Sequence, residues 1–231
     1  CDSASCACYN YTDIAFNRGN YRTSKKMMKI GIDVDGVLRN FCDGIIEVIK
    51  MDYPDYLKDG FTEITDWQLE NNFNCTKKDL QEIYWYDWAH AIMGNGKPFK
   101  DNLATMRHFI DNIIGTYECE WVCITSQKDH ARHYTLSWLG KHELNFDRVV
   151  FAKGRDKWKV DVDYLVDDSP QNWHHWKHGR GTEDGYLLLD RPYNQNIDTK
   201  NRIFERYPKT TIIFTVMISI VVMDVLLTKT F

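Results

Sequence analysis

The sequence predicts an α/β fold: a Rossmann-like parallel sheet flanked by helices, with a small helical cap inserted after the first strand. Three observations carry this expectation. Short apolar runs recur at 29–32, 120–124, 148–151, 164–166 and 186–189, with the length and composition of strands buried on both faces. Stretches with helical spacing separate most of them, the alternation that builds a parallel sheet. Polar residues stand at the carboxyl ends of three runs, where ligands gather in such sheets. They are Asp33 with Asp35, Thr125 with Ser126, and Asp167 with Asp168.

Residues 1–27 are rich in Ser, Asn, Tyr and Arg and show no periodicity. A disordered leader is expected there, with no apolar signal core and with Met28 read as the original start. The first strand follows and ends at Asp33. Asp35 lies two residues on and therefore on the same face. Two carboxylates so close repel each other unless a cation or a proton separates them. Gly36 lets the chain turn away. From Phe41 to about residue 51, Ile45, Val48 and Ile49 keep helical spacing. Residues 52–75 are irregular, with Pro54, Gly60 and several Asn. Thr76-Lys-Lys-Asp79 has the form of a capping box. It opens a helix expected to run to about Ile92 through Leu80, Ile83, Tyr84, Trp85 and Trp88. Gly94-Asn-Gly96 and Pro98 end it. Residues 43–96 are thus expected to form a helical cap, with 28–42 and 97–207 as the core.

A helix is expected over 102–114, then the strand 120–124. A second helix over 129–139 carries Ala131, Tyr134, Thr135 and Trp138 on its inner face. Trp173-His-His-Trp-Lys-His178 reads as a surface helix, since His174 and His178 make one i,i+4 pair without a third metal ligand. The tail 208–231 contains an apolar stretch at 211–227 interrupted by Asp224. A buried terminal element, or sequence foreign to the domain, is preferred there over a membrane anchor. The stretch is short for a span, and an intramembrane Asp is costly.

At 231 residues, 43% hydrophobic and 14% aromatic, the chain suits one domain with an insertion. A net charge of −4 argues against wrapping a nucleic acid, because no basic excess exists to displace counterions. Small phosphate esters need only a few local cations. Cys42, Cys75, Cys119 and Cys123 are scattered and read as reduced thiols. Cys1, Cys6 and Cys8 have no complementary His or Cys group nearby, so no metal site is read from them.

The ordered set Asp33-x-Asp35, Thr125 after an apolar strand, Lys157, then Asp167-Asp168 resembles the four motifs of the haloacid dehalogenase superfamily. The resemblance covers about residues 28–195. Within the superfamily the chain is most similar to the 5'(3')-deoxyribonucleotidase family. The similar stretches are Asp33-Val-Asp-Gly-Val-Leu38 followed by Phe41, Cys123-Ile-Thr-Ser126, Arg155-Asp-Lys157 and Leu165-Val-Asp-Asp168. Gln127 stands where that family commonly has Pro.

The resemblance implies that Asp33 is a nucleophile forming an aspartyl-phosphate. It makes Asp35 the residue that protonates the leaving oxygen and then takes a proton from the hydrolytic water, a role for which neighbouring carboxylates would raise its proton affinity. Mg²⁺ would be held by Asp33, the backbone carbonyl of Asp35, and Asp167, with Asp168 acting through a water. Thr125, Ser126 and Lys157 would bind the phosphoryl oxygens, and Phe41 the base. The chemistry is reasonable in its own right. A phosphate dianion repels a carboxylate, and unit charges at 4 Å interact by about 4 kcal/mol at an effective dielectric of 20, so local cations are needed.

The reading is a cytoplasmic Mg²⁺-dependent phosphomonoesterase acting on (deoxy)nucleoside monophosphates, its oligomeric state left open. One alternative is a phosphatase for another small phosphate ester or a nucleic-acid phosphate end. A second is a membrane-tethered, non-catalytic binding protein of the same fold, supported by 211–227.

Overall fold

The structure, a computed structural model, describes residues 27–99, 102–104, 106, 107 and 119–203. Six parallel strands make one sheet: β1 (Met28–Ile32), β2 (Cys119–Thr125), β3 (Arg148–Phe151), β4 (Tyr164–Asp167), β5 (Tyr186–Leu189) and β6 (Arg202–Ile203). Their spatial order is β3-β2-β1-β4-β5-β6. Strand β1 pairs with β2 on one side and β4 on the other, and its last three residues, Ile30 to Ile32, are buried because both faces of the sheet are covered. Its register sets Ile32 beside Cys123 of β2 and beside Val166 of β4. Asp33 and Asp167 directly follow Ile32 and Val166, and Thr125 lies two residues beyond Cys123, so all three fall along the carboxyl edge of the sheet.

Period-two alternation divides the core between the two faces. Trp121, Cys123, Ile30, Ile32 and Val166 pack with Trp138 and Leu139 of α3 (Arg132–Lys141). Val122, Ile124, Leu165 and Leu188 pack with Trp173 and Trp176 of α4 (Pro170–Arg180) on the other face. Each such side chain contributes about 1.5–3 kcal/mol on burial. A third cluster lies between α1 (Phe41–Asp52) and α2 (Lys77–Glu82), where Ile45, Ile49, Leu80, Ile83, Ile92 and Met93 are buried. Ala131 and Tyr193 join it from outside the 43–96 segment.

The expected strands and the fold class are those observed, and three local differences have physical causes. The helix expected from Thr76 to Ile92 is regular only over Lys77–Glu82. Its start is the expected capping box, with Thr76 Oγ1 accepting from Asp79 N (3.3 Å) and Asp79 Oδ2 accepting from Thr76 N (2.9 Å). Beyond it come two wider π-helical turns, Ile83–Asp87 and His90–Gly94. The extra residue per turn accommodates adjacent large rings: Tyr84 and Trp85 pack at 5.1 Å, and both line one cleft. The helix expected from residue 129 begins with a tight turn, Asp129–Ala131, and becomes α-helical at Arg132. Strand β6 was not expected, since two residues carry no periodicity. Tertiary contacts hold it, with Arg202 donating to Asp190 Oδ1 (3.0 Å) and to Asn194 Oδ1 (2.8 Å).

The four cysteines from Cys42 onward are free. The expected leader (all but Met27), Cys1, Cys6 and Cys8, the tail 208–231 with its 211–227 stretch, and most of the 102–114 helix lie outside the described residues. Residues 102–104, 106 and 107 are helical. Among the described residues, no helix is long and apolar enough to cross a membrane.

Candidate active site

The loop after β1 is a tight turn built on one carbonyl. Val34 O accepts from Leu38 N and from Arg39 N, both at 2.8 Å, and Gly36 N donates to Arg39 O at 2.9 Å. Gly36 has a φ of +79°, and a Cβ there would stand 1.8 Å from Asp168 Oδ2. Backbone conformation and the close approach of the second acidic motif both require glycine.

Three carboxylates and one ammonium form the centre. Asp33 is 6% exposed and Lys157 2%. Lys157 Nζ lies 2.6 Å from Asp33 Oδ2 and 2.9 Å from Asp167 Oδ2. Asp33 Oδ1 accepts from Val34 N (2.8 Å). Asp167 is further held by Ser169 N (2.8 Å) and Asn172 Nδ2 (2.9 Å). Asp168 accepts from the Tyr193 hydroxyl, and its backbone carbonyl from Asn194 Nδ2 (2.9 Å).

Electrostatics follow from this crowding. Burial pushes the Asp33 carboxyl well above the usual carboxylate range; Lys157 opposes the shift, while Asp167 and Asp168 add to it. Burial, then Asp167, raise Asp168 to about 7, against the Tyr193 hydrogen bond and Arg191. Burial alone would lower the Lys157 ammonium, but Asp167 and Asp33 reverse this and leave it above the ordinary lysine value.

One oxygen from each of Asp33, Asp167 and Asp168 lies within 4.8 Å of the others. With all three ionised, the carboxylates outweigh the Lys157 ammonium by two charges, and this crowding adds to the burial that raises the proton affinity of Asp33 and Asp168. An all-oxygen donor set with that residual charge fits a hard divalent cation. The side-chain cluster thus includes Asp168 and omits the side chain of Asp35, which was expected to offer only its backbone carbonyl.

Asp35 has different neighbours from those expected. Its carboxylate meets Arg39 at both oxygens (Nε to Oδ1 2.8 Å, Nη2 to Oδ2 3.0 Å) and Gln127 Nε2 at Oδ2 (2.8 Å). The turn Val34–Arg39 brings the arginine back onto the acid four residues before it, so the side chains of Asp33 and Asp35 do not converge on one partner. Alternation along an extended strand could not anticipate this, because the strand stops at Ile32.

All of these acids except Asp167 border a cleft of about 630 Å³ that also receives Thr125, Ser126, Lys157 and Phe41. Thr125 is fully buried, and its Oγ1 has no hydrogen-bond partner among the described residues. Ser126 Oγ donates to Ala152 O (2.7 Å), so its hydroxyl is engaged. Phe41 sets its ring edge-on to Tyr84 at 5.6 Å, and Trp85 and Trp67 continue the aromatic wall. His175 reaches the cleft rim from α4 while His174 and His178 face outward, as a surface helix requires.

Sequence reasoning passed over Arg39, Asn172 and Tyr193. Arg39 sits inside the first motif, and its i,i+4 spacing from Asp35 was the available signal. Tyr193 and Asn172 had none, since their relation to Asp168 and Asp167 exists only in the folded chain.

A family model described as "5' nucleotidase, deoxy (Pyrimidine), cytosolic type C protein" matches residues 26–217. Among solved structures, the chain is similar to a haloacid dehalogenase-like hydrolase from Burkholderia xenovorans LB400. That match has 13% identity and a TM-score of 0.46, covering 79% of this chain and 96% of the other. It is also similar to a chain of the Pnkp1/Rnl/Hen1 RNA repair complex, with 13% identity and a TM-score of 0.39, covering 74% and 45%. The Legionella pneumophila effector Ceg4 matches with 9% identity and a TM-score of 0.32, covering 84% and 92%. This chain spans about half the length of the RNA repair complex chains it matches. No curated protein matches it.

Proposed function

Because this chain belongs to the 5' nucleotidase, deoxy (pyrimidine), cytosolic type C family, and is thus a phosphoric monoester hydrolase, we propose that it is a Mg²⁺-dependent enzyme that dephosphorylates nucleoside monophosphates through an aspartyl-phosphate. The observation that carries the reading is the Thr125 hydroxyl. It is buried without a partner among the described residues, on the wall of the cleft that Asp33 and Lys157 also line. A buried hydroxyl left unpaired costs about 1–3 kcal/mol, and a phosphoryl oxygen would satisfy it.

In the proposed reaction Asp33 Oδ attacks phosphorus as the bond to the leaving oxygen breaks, and Asp35 gives that oxygen a proton to release the nucleoside. Water then attacks the phosphorus, Asp35 takes its proton, and the bond to Asp33 breaks to release phosphate. Lys157 and the Thr125–Ser126 end of β2 stabilise the charge on the phosphoryl oxygens. Asp33, Asp167 and Asp168, with the backbone carbonyl of Asp35, would hold Mg²⁺. When bound, the ion supplies charge neutralisation and polarises the phosphoryl group. Phe41, Tyr84 and Trp85 offer stacking surface to a base, worth about 1–3 kcal/mol and tolerant of base identity. The residues 43–96, acting as a cap over a cleft of this size, would admit a mononucleotide and hinder a long strand. A cytoplasmic location accords with the family's description.

Metal dependence is tested without relying on turnover alone. A chelator is expected to abolish hydrolysis. Mg²⁺ at 100 times its Kd should stabilise the fold by about 2.7 kcal/mol, raising Tm by about 5–10 °C in a domain this size. Asp167→Asn should lose that thermal response. Full turnover after exhaustive EDTA dialysis, with Tm indifferent to Mg²⁺, would remove the metal from the proposal.

Substrate class is tested by Phe41→Ala. If the ring stacks on a base, kcat/KM for dUMP and dTMP should fall about 10-fold, the equivalent of roughly 1.4 kcal/mol of stacking, with little change for a sugar phosphate. Equal losses on both, or a native preference for the sugar phosphate or a 3'-phosphorylated oligonucleotide, would move the assignment to another phosphate ester.

A further inference from the structure

Arg39 is fully buried, and its guanidinium donates four hydrogen bonds to residues at or behind the site. Nε and Nη2 grip the two oxygens of Asp35 at 2.8 and 3.0 Å. Nη2 also donates to Thr135 Oγ1 (3.1 Å), and Nη1 donates to the carbonyl of Met93. The guanidinium lies 5.4 Å from the Trp138 ring centroid. Trp138 Nε1 in turn donates to Gly96 O (2.7 Å). At Gly96 a Cβ would stand 2.9 Å from Arg39 Cδ, so the chain returning from residues 43–96 closes directly over the arginine.

Burying a guanidinium costs several kcal/mol unless its donors are used; here two bonds grip the Asp35 carboxylate, while those to Thr135 and the Met93 carbonyl hold the guanidinium in place. A carboxylate offers about four acceptor positions. Arg39 fills one on Oδ1 and one on Oδ2, and Gln127 fills the second on Oδ2. We propose that Arg39 is a positioning residue which, with Gln127, leaves Asp35 a single open lone pair on Oδ1 through which the proton passes to the leaving oxygen. This inference rests on the reading of Asp35 as the proton donor. The proton given up as the phosphorus–oxygen bond breaks, and the one taken from water afterwards, both use that atom. The grip prevents rotation of the carboxylate, and misplacement of a transferring group by about 1 Å can cost on the order of 10²-fold in rate. Lysine is no substitute, because it is a point charge without the planar fork.

The test measures release of the leaving group in a single turnover, with enzyme in excess and Mg²⁺ saturating. Two substrates are compared: dTMP, whose alkoxide must be protonated, and p-nitrophenyl phosphate, whose phenolate departs without a proton. Asp35→Asn, Arg39→Lys and Gln127→Ala are each assayed, with folding checked by circular dichroism. General acid catalysis contributes about 10²–10⁴-fold, so Asp35→Asn should slow thymidine release by that factor and largely spare p-nitrophenol. Arg39→Lys should show the same split at about 10²-fold, and Gln127→Ala a smaller split in the same sense. A merely structural role would slow both substrates equally. If Asp35→Asn shows the split and the folded Arg39→Lys does not, the inference about Arg39 fails while the proton-donor reading stands. Should Arg39→Lys not fold, Gln127→Ala decides in the same way. Equal slowing of both substrates by Asp35→Asn overturns the proton-donor reading and the inference with it.

Discussion

Replacing Asp33 by asparagine is expected to lower kcat by about 10⁴–10⁶-fold on every phosphate monoester, the scale seen when a catalytic nucleophile is removed. The carboxamide has the shape of the carboxylate, but if its oxygen accepts from Val34 N, as Asp33 Oδ1 does at 2.8 Å, its NH2 replaces the oxygen that lies 2.6 Å from Lys157 Nζ, and that ion pair is lost. The carboxamide cannot attack phosphorus. The fold should survive, because the substitution also removes one of three mutually repelling buried carboxylates. The measurement is turnover together with acid-quenched labelling from a phosphate-labelled substrate. The native chain should retain covalent label and the variant none, with the variant still folded by circular dichroism because Lys157 keeps Asp167 at 2.9 Å. A variant with near-native turnover would show that Asp33 is not the nucleophile.

The second large effect is on stability. Lys157→Met is expected to cost about 3–5 kcal/mol, since removing one partner of a buried ion pair leaves the other charge uncompensated. Here the loss falls on two acids at once, Asp33 at 2.6 Å and Asp167 at 2.9 Å. The methionine fills much of the space but offers no donor. Mg²⁺ should restore part of the loss, because a cation held by Asp33, Asp167 and Asp168 relieves the same repulsion. Urea unfolding of native and variant chains, each with and without Mg²⁺, reads both terms. A variant within about 1 kcal/mol of the native chain would mean that Lys157 is not the counter-ion on which the site depends. Activity should fall alongside, as the phosphoryl oxygens lose their fixed cation.

How far the site could be read from the sequence differs residue by residue. Asp33, Thr125 and Asp167 were legible because each follows an apolar run, and parallel strands in register deliver the residues after them to one edge. Lys157 was legible only through its place in an ordered motif set. Its burial between two acids depends on the tight helical turn Gly154–Lys159 packing beside α4, which no local pattern announces. Asp35 was legible as a position but not as an environment. Two residues of strand spacing suggested that its side chain would join Asp33, whereas the turn on Val34 O directs it to Arg39 and Gln127.

Local sequence specified five of the six strands, their boundaries to within a residue or two, the capped start of α2 and the acidic edge. These depend on periodicity, capping and chain order, which are local properties of the chain. The partners came from packing: Tyr193 on Asp168, Asn172 on Asp167, Arg39 on the carbonyl of Met93, and the two-residue strand β6. Such pairings join residues as far as 54 positions apart. They arise because buried polar groups must find donors and acceptors wherever the packed core brings them, and that requirement has no expression in a window of neighbouring residues.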